Sequence, residues 1–303
     1  MQVRVLVTGA TGFLGHALTL DLVAAGHEVS ALSRSAHADG RLPATVHVAP
    51  WSPLDEAAPI SAIEGVDAIV HLAGEPVNGT WTRSKRQAIL DSRVTGTRNL
   101  LRSIAAADPR PRQLVCASAI GYYGDRGEEL LDEDAASGDD FLADVCRQWE
   151  TVAGAGRELG LAVTSTRFGI VLGRDGGALA PLQRTTKLGA GGPLGSGSQW
   201  WSWIHLDDAV KAIAHILETR PDGALNIVAP EPVRQRDLAH ALGRALHRPA
   251  VLPTPAFMLR ALLDGFAAEL LSSRRVSGQA LAGSGFVHRF GDLDSALADL
   301  AHH

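Results

Sequence analysis

Three glycines, Gly9, Gly12 and Gly15, follow the apolar run Val5-Leu-Val7 and precede an amphipathic stretch. Glycine at these positions lets a strand turn tightly, lets backbone approach a pyrophosphate and lets a helix pack closely on the strand. The N-terminus of that helix adds about half a unit of positive charge and free N–H groups facing the phosphates. The chemistry this spacing predicts is dinucleotide binding, with Thr11, Phe13 and Leu14 as neighbouring contacts; a glycine-rich structural turn is the alternative. The second apolar run ends as Ala31-Leu-Ser-Arg34, not in the Asp or Glu that would hold ribose hydroxyls. Ser33 and Arg34 suit a 2′-phosphate instead, so NADPH/NADP is the expected cofactor. Charge-assisted hydrogen bonds from a guanidinium are worth roughly 1.5–3 kcal/mol, or about 10- to 150-fold in preference over NADH. As a solvated loop residue Arg34 would confer none of this.

Proton transfer is harder to place. The chain has two tyrosines, Tyr122 and Tyr123, and three lysines, Lys85, Lys187 and Lys211. Four residues beyond the tyrosines stand Arg126 and Gly127, so no lysine shares a helix face with a tyrosine to lower the phenol's pKa for acid/base work. The candidates left are Ser118, Tyr122, Tyr123 and Glu75, each with a packing or surface role as its alternative. Cys146 has no activating partner in sequence and reads as a packed helix residue. Trp200, Trp201 and Trp203 follow the glycine-rich segment Gly189–Gly197 and could line a ligand pocket, while Trp81 and Lys85 could close over the cofactor from a loop but are expected at the surface. His205 reads as packing. No residues show metal-site spacing.

The elements that must position these groups alternate. Short β-rich runs at 3–7, 28–32, 68–72, 113–117 and 162–166 are separated by amphipathic stretches at 16–25, 85–106 and 139–158, the rhythm of a parallel sheet covered on both faces. The predicted architecture is α/β: a Rossmann-like doubly wound parallel sheet with a small, partly discontinuous C-terminal α+β substrate domain. The sheet domain would take 1–172 plus 203–229, and the second domain 173–202 plus 230–303.

At 303 residues, with 46% apolar and 20% charged residues, the chain can bury a sizeable core. A net charge of −5 without any basic run argues against nucleic acid or an anionic membrane surface as partner, and leaves a small-molecule substrate, with monomer or homodimer both open. Two distant cysteines, no leader-like segment before Val3 and no apolar stretch of about 20 residues make a cytoplasmic location the default.

The chain resembles the extended or atypical short-chain dehydrogenases/reductases of the epimerase/dehydratase superfamily, and within them the YfcH-like epimerase-family proteins. The resemblance covers nearly the whole sequence and rests on Thr8-Gly-Ala-Thr-Gly-Phe-Leu-Gly15, His71-Leu-Ala-Gly-Glu-Pro76, Asp91-Ser-Arg-Val-Thr-Gly-Thr97, Ser118-Ala-Ile-Gly-Tyr-Tyr-Gly124, Phe141 to Glu150, Arg167 to Gly173 and Trp203-Ile-His-Leu-Asp-Asp208. It implies a Rossmann domain binding NADPH and a small C-terminal substrate domain. It also implies that Leu72, Ala73 and Gly74, the loop after the fourth strand, lie along the cofactor's adenosine side. Arg93 would be a further cofactor contact or a structural salt bridge, and Arg167 would reach cofactor or substrate from the sheet's carboxyl edge. Where the family carries its catalytic tyrosine and lysine, this chain has Leu142 and Cys146, with Ser118 near the usual serine. Two functions follow from these residues: an NADPH-dependent oxidoreductase or epimerase with a nonstandard proton donor, acting on a small polar or nucleotide-linked substrate, or a noncatalytic NADPH-binding sensor.

Overall fold

The computed structural model describes residues 2–34, 38–174 and 176–301. Met1, residues 35–37, Asp175 and residues 302–303, which the expected domain ranges include, lie outside the described residues. Seven strands form one parallel sheet: β1 (Arg4–Thr8), β2 (Glu28–Ser33), β3 (His47–Pro50), β4 (Ala68–His71), β5 (Gln113–Ala119), β6 (Ala162–Phe168) and β7 (Gly223–Ile227), in the order β7-β6-β5-β4-β1-β2-β3. The near-continuous apolar character of β1 follows, because successive side chains point to opposite faces and both faces are covered. Val5 and Val7 join one core with Leu18 of helix α1 (Phe13–Ala24). Leu6 joins the other with Leu100 of helix α2 (Arg83–Ala106) and Trp149 of helix α3 (Phe141–Gly154). Helix α4 (Leu206–Thr219) completes the first face through Ile213 and Ile216.

Helix starts are locally encoded. Thr82 caps α2 by accepting from the Lys85 N–H, and Asp140 caps α3 by accepting from the Ala143 N–H, each satisfying a donor that the first turn leaves orphaned. Helix α1 has Gly12 at its N-cap with no side-chain cap and no acidic residue in its first turn.

A second body gathers around Trp201, Trp203, Leu238, Leu242, Leu259 and Leu297. It is built mainly from the helices Leu179–Lys187, Gln235–Ala245, Ala256–Leu263, Gly265–Leu271 and Leu293–Ala301. Strand content here is small: Ile170–Gly173 pairs with Trp203–His205 and Gly176–Gly177, and Trp200–Trp201 pairs with Val233–Arg234. No helix among the described residues is long and apolar enough to cross a membrane.

Candidate active site

The chain runs outward from β1 through β2 and β3, then returns to β4 on the other side of β1, so the crevice opens at the carboxyl ends of β1 and β4, where open α/β sheets hold ligands. Gly9 lies there at φ +73°, and a Cβ on it would come within 2.9 Å of the Leu72 carbonyl carbon. A Cβ on Gly15 would meet the Gly9 oxygen at 2.2 Å, and one on Gly12 would meet it at 3.1 Å. Only glycine lets the turn after β1, the loop after β4 and helix α1 close this tightly. Gly12 is exposed and Thr11, Phe13 and Leu14 are half-buried around it. The uncapped start of α1 therefore points its positive end into an open glycine cradle, the arrangement that takes a pyrophosphate.

Ser33 is the half-buried last residue of β2, and Arg34 is exposed immediately beyond it. Ala73 donates its N–H to Thr8 Oγ1 at 3.2 Å, which ties the loop Leu72-Ala73-Gly74 to β1. Beneath that loop Arg93 donates through Nη1 to the carbonyls of Glu75 and Ile89, at 3.0 and 3.1 Å, and lies 5.0 Å from the Trp149 ring centroid. Its guanidinium is also the nearest neighbour of Gly74, where a Cβ would sit 3.2 Å from Cζ. These contacts make Arg93 a support for the loop. Burial lowers its pKa, partly offset by Cys146, Glu75 and Cys116.

Of the proposed proton donors, Glu75 is bound to Lys85 Nζ at 2.7 Å. Ser118, Tyr122 and Tyr123 converge instead on an ion pair. Arg167 donates from Nε and Nη2 to both oxygens of Glu150 at 2.9 Å each, while Ser118 Oγ donates to Glu150 Oε1 at 2.6 Å. Arg167 Nη1 donates to the Tyr123 hydroxyl at 2.9 Å and to the Glu133 carbonyl at 3.0 Å, and the Tyr123 hydroxyl donates to Asn226 Oδ1 at 2.7 Å. The Tyr122 ring covers the guanidinium, 3.6 Å from Cζ to its centroid. Arg167 is 4% exposed. Burial opposes its charge, but the hydrogen bond and charge of Glu150 outweigh it and raise the pKa. Four of its five N–H groups are thus committed inside the protein. Tyr123 is fully buried, and burial, only partly countered by Arg167, pushes its phenol up to about 12.

Sequence reasoning named the segment ending in Glu150 but gave this carboxylate no role. The signal was present: Leu142, Cys146 and Glu150 recur at four-residue steps, so one face of α3 carries all three. Gly121, in the turn after β5, rests on that face near Leu142 and Cys146. Burial pushes the Cys146 thiol up to about 11, which keeps it protonated and unreactive. His205 accepts from the Asp207 N–H at 3.0 Å at the start of α4, and its ring lies 3.9 Å from that of Phe290. Trp81, expected at the surface, is 6% exposed and packs edge-on against Phe141 at 5.2 Å, because α3 and the helix Gly265–Leu271 enclose it.

Next to the glycine cradle lies a cavity of about 840 Å³, within the usual range for small-molecule sites. Phe13, Gly121 and Leu142 form its wall on the sheet side, and Trp200, Trp201 and Leu259 face them from the second body. Phe13 packs into the glycine hairpin, where a Cβ on Gly173 or Gly176 would come within 2.5 Å of its ring. Trp203 stays in the core. No three His, Cys, Asp or Glu among the described residues converge as a metal site.

Comparison with known proteins agrees with this architecture. A protein of Arabidopsis thaliana described as an epimerase family protein SDR39U1 homolog, chloroplastic, is 39% identical over 98% of this chain and 86% of its own length. The Bacillus subtilis epimerase family protein YfhF is 36% identical over 98% of this chain and 97% of its own. The crystal structure of human epimerase family protein SDR39U1 with NADPH superposes with a TM-score of 0.87 at 32% identity, covering 98% of this chain and 99% of that one. Residues 254–300 match a domain of unknown function, DUF1731. Residues 5–228 match the NAD dependent epimerase/dehydratase family, and the chain belongs to it.

Proposed function

We propose that this protein is an NADPH-dependent oxidoreductase or epimerase whose small-molecule substrate occupies the cavity between the sheet and the C-terminal helices. The observation that carries the reading is contiguity: Phe13, the first residue of the helix that closes the glycine cradle, also lines the cavity. The human relative holds NADPH, and the cofactor here is NADPH/NADP, held at the glycine turn and the start of α1 with Ser33 and Arg34 at the adenosine end. When bound it supplies a hydride. Leu72, Ala73 and Gly74 run along the cofactor's adenosine side, and Arg93 holds the Glu75 carbonyl that follows them. The division into 1–172 plus 203–229 and 173–202 plus 230–303 belongs to the same reading, with the cavity at the junction.

Leu142 and Cys146 stand where the family's tyrosine and lysine would be, so the proton route differs from the usual one. Ser118 adjoins Ala119 on the cavity wall; to orient a substrate carbonyl it would turn its O–H away from Glu150 Oε1, which accepts it in this structure. Tyr123 and Arg167 act as positioning residues behind it, Tyr122 covers the guanidinium, and Glu75 is the outlying acid. Nucleic acid and membrane play no part, in keeping with the charge balance, and the setting is cytoplasmic. A noncatalytic NADPH sensor is the second reading, favoured by a specific observation: no Tyr, Lys or His lines the cavity among the described residues.

NADPH oxidation followed spectrophotometrically over a panel of carbonyl substrates separates the two. The enzyme reading expects turnover that falls at least about tenfold in Ser118→Ala and survives in Tyr123→Phe, consistent with a hydroxyl's usual share in acid/base and orienting catalysis. Tight NADPH binding with no turnover on any member of the panel would favour the sensor.

A further inference from the structure

Among the described residues that line the cavity, the carboxyl group is that of Glu269, carried by the helix Gly265–Leu271 of the second body. Its Oε2 lies 2.8 Å from Arg274 Nη1. Oε1 accepts no hydrogen bond from the described residues and is not enclosed; the side chain is 12% exposed, so the free oxygen opens into the cavity that the residue lines. Arg274 fixes where that oxygen stands. It is buried, donates from Nε to the Gly124 carbonyl at 3.0 Å in the turn after β5, and holds Nη2 3.8 Å from Oδ2 of Asp140, the residue that caps α3. Leu142 follows two residues beyond Asp140, at the place of the family's tyrosine, and lines the same cavity. The second body thus brings a carboxyl to the end of the cavity where the sheet domain offers no phenol.

The surroundings suit proton transfer. Most of the wall is apolar, with Phe168, Leu182, Leu242 and Phe266 facing the cavity. Burial raises the pKa of Glu269 and the charge of Asp140 adds to it, while Arg274 offsets the two only in part. A carboxyl held protonated closer to neutrality is a better general acid than a solvated one. Once the proton has left, the adjoining guanidinium neutralises the carboxylate.

We propose that Glu269 is a catalytic residue, a general acid that delivers its proton from Oε1 to the substrate oxygen in place of the family's tyrosine, with Arg274 as its positioning residue. In carbonyl reduction the carbonyl carbon takes the hydride from NADPH, the C=O π pair moves onto oxygen, and that oxygen takes the Glu269 proton. The products are the alcohol, NADP and the Glu269 carboxylate, which a proton from solvent restores. The proposal rests on reading the cavity as the substrate site of an NADPH-dependent enzyme.

Infrared difference spectra of NADP-loaded protein, titrated across pH, read the carboxyl without turnover. A protonated-carboxyl band that titrates above the ordinary glutamate value of about 4.3 should be present in the wild-type protein and missing from Glu269→Gln. Reduction of 4-nitrobenzaldehyde and acetophenone by NADPH then reads the role. The wild-type kcat should fall as pH rises through the pKa of that band, because the acid must be protonated. Glu269→Gln, neutral and of the same shape, should lower kcat at least about 100-fold with KM changed less than about threefold, the low end of what general acid–base catalysis contributes. If Glu269→Gln fails to fold, Glu269→Asp decides: it keeps a carboxyl for Arg274 and should move the band's pKa and the kcat profile together. No such band in the wild-type protein, a band that persists in Glu269→Gln, or a kcat profile that stays in place while the band moves overturns the proposal. Undiminished turnover in Glu269→Gln overturns it alone and leaves the enzyme reading standing. No turnover by the wild-type protein of these probes or of any other carbonyl in the panel overturns the enzyme reading, and this proposal with it.

Discussion

His71, the last residue of β4, has no exposed surface and is held on both ring nitrogens, by Thr8 Oγ1 at 2.7 Å and Thr97 Oγ1 at 3.0 Å. Burial, with Arg93 adding repulsion, lowers its pKa to about 4. The folded pKa lies below the unfolded value of about 6.5, so the unfolded chain binds the extra proton between those two values. Stability is therefore full above about pH 6.5 and falls as pH drops toward 4, by on the order of 3 kcal/mol from this group. The lowered pKa of His205, also due first to burial, acts with the same sign. Urea unfolding at pH 7.5 and pH 5 should show about 2 kcal/mol of this loss, and His71→Asn should make the stability less dependent on pH; an unchanged dependence would contradict the assignment. At this scale the glycines were legible because their requirement is local, a turn and a close approach encoded in eleven residues. Glu150, Arg274 and Gln235 were not, since their contacts to Arg167, the Gly124 carbonyl and the Leu194 N–H reach 17 or more residues along the sequence.

The junction of β5, α3 and β6 is held by one ion pair, because Ser118, Glu150 and Arg167 come from those three elements. Removing one charge of a buried pair leaves the other uncompensated, which typically costs 3–5 kcal/mol. Glu150→Gln should lower stability by about that amount in urea unfolding, and adding Arg167→Met should recover part of it, since the two positions are coupled. A loss below about 1 kcal/mol would mean that the pair does not hold the junction. The elements themselves were largely visible in sequence. The helix over 85–106 and the strands before and after it follow from periodicity, and the structure begins that helix two residues earlier, at Arg83, where Thr82 caps it. Helix α1 begins at Phe13, earlier than the apolar period suggested, because the glycine turn itself supplies its start. Helix α3 stops at Gly154 and gives way to a tighter turn over Ala155–Leu159. Strand β3 went unseen because four residues ending in proline on the sheet's outer edge carry little pattern.

At the scale of the molecule, two bodies of different character meet over one cavity, the sheet contributing glycine and backbone and the C-terminal helices contributing aromatic and apolar surface. Composition announced that second body as glycine- and tryptophan-rich, and the βαβ rhythm announced the first. The cavity's apolar lining and the Arg274 contact to the Gly124 carbonyl depend on how the bodies dock, which sequence spacing does not encode. The central claim concerns the first body: the glycine cradle takes NADPH and Arg34 selects it. The most direct measurement is fluorescence titration of the wild-type protein and Arg34→Ala with NADPH and NADH. We expect wild-type protein to bind NADPH about 10- to 150-fold more tightly than NADH, the range for charge-assisted contacts to a phosphate, and Arg34→Ala to lose that preference while its NADH affinity is unchanged. Binding of neither nucleotide, or a preference for NADPH that survives in Arg34→Ala, would contradict it.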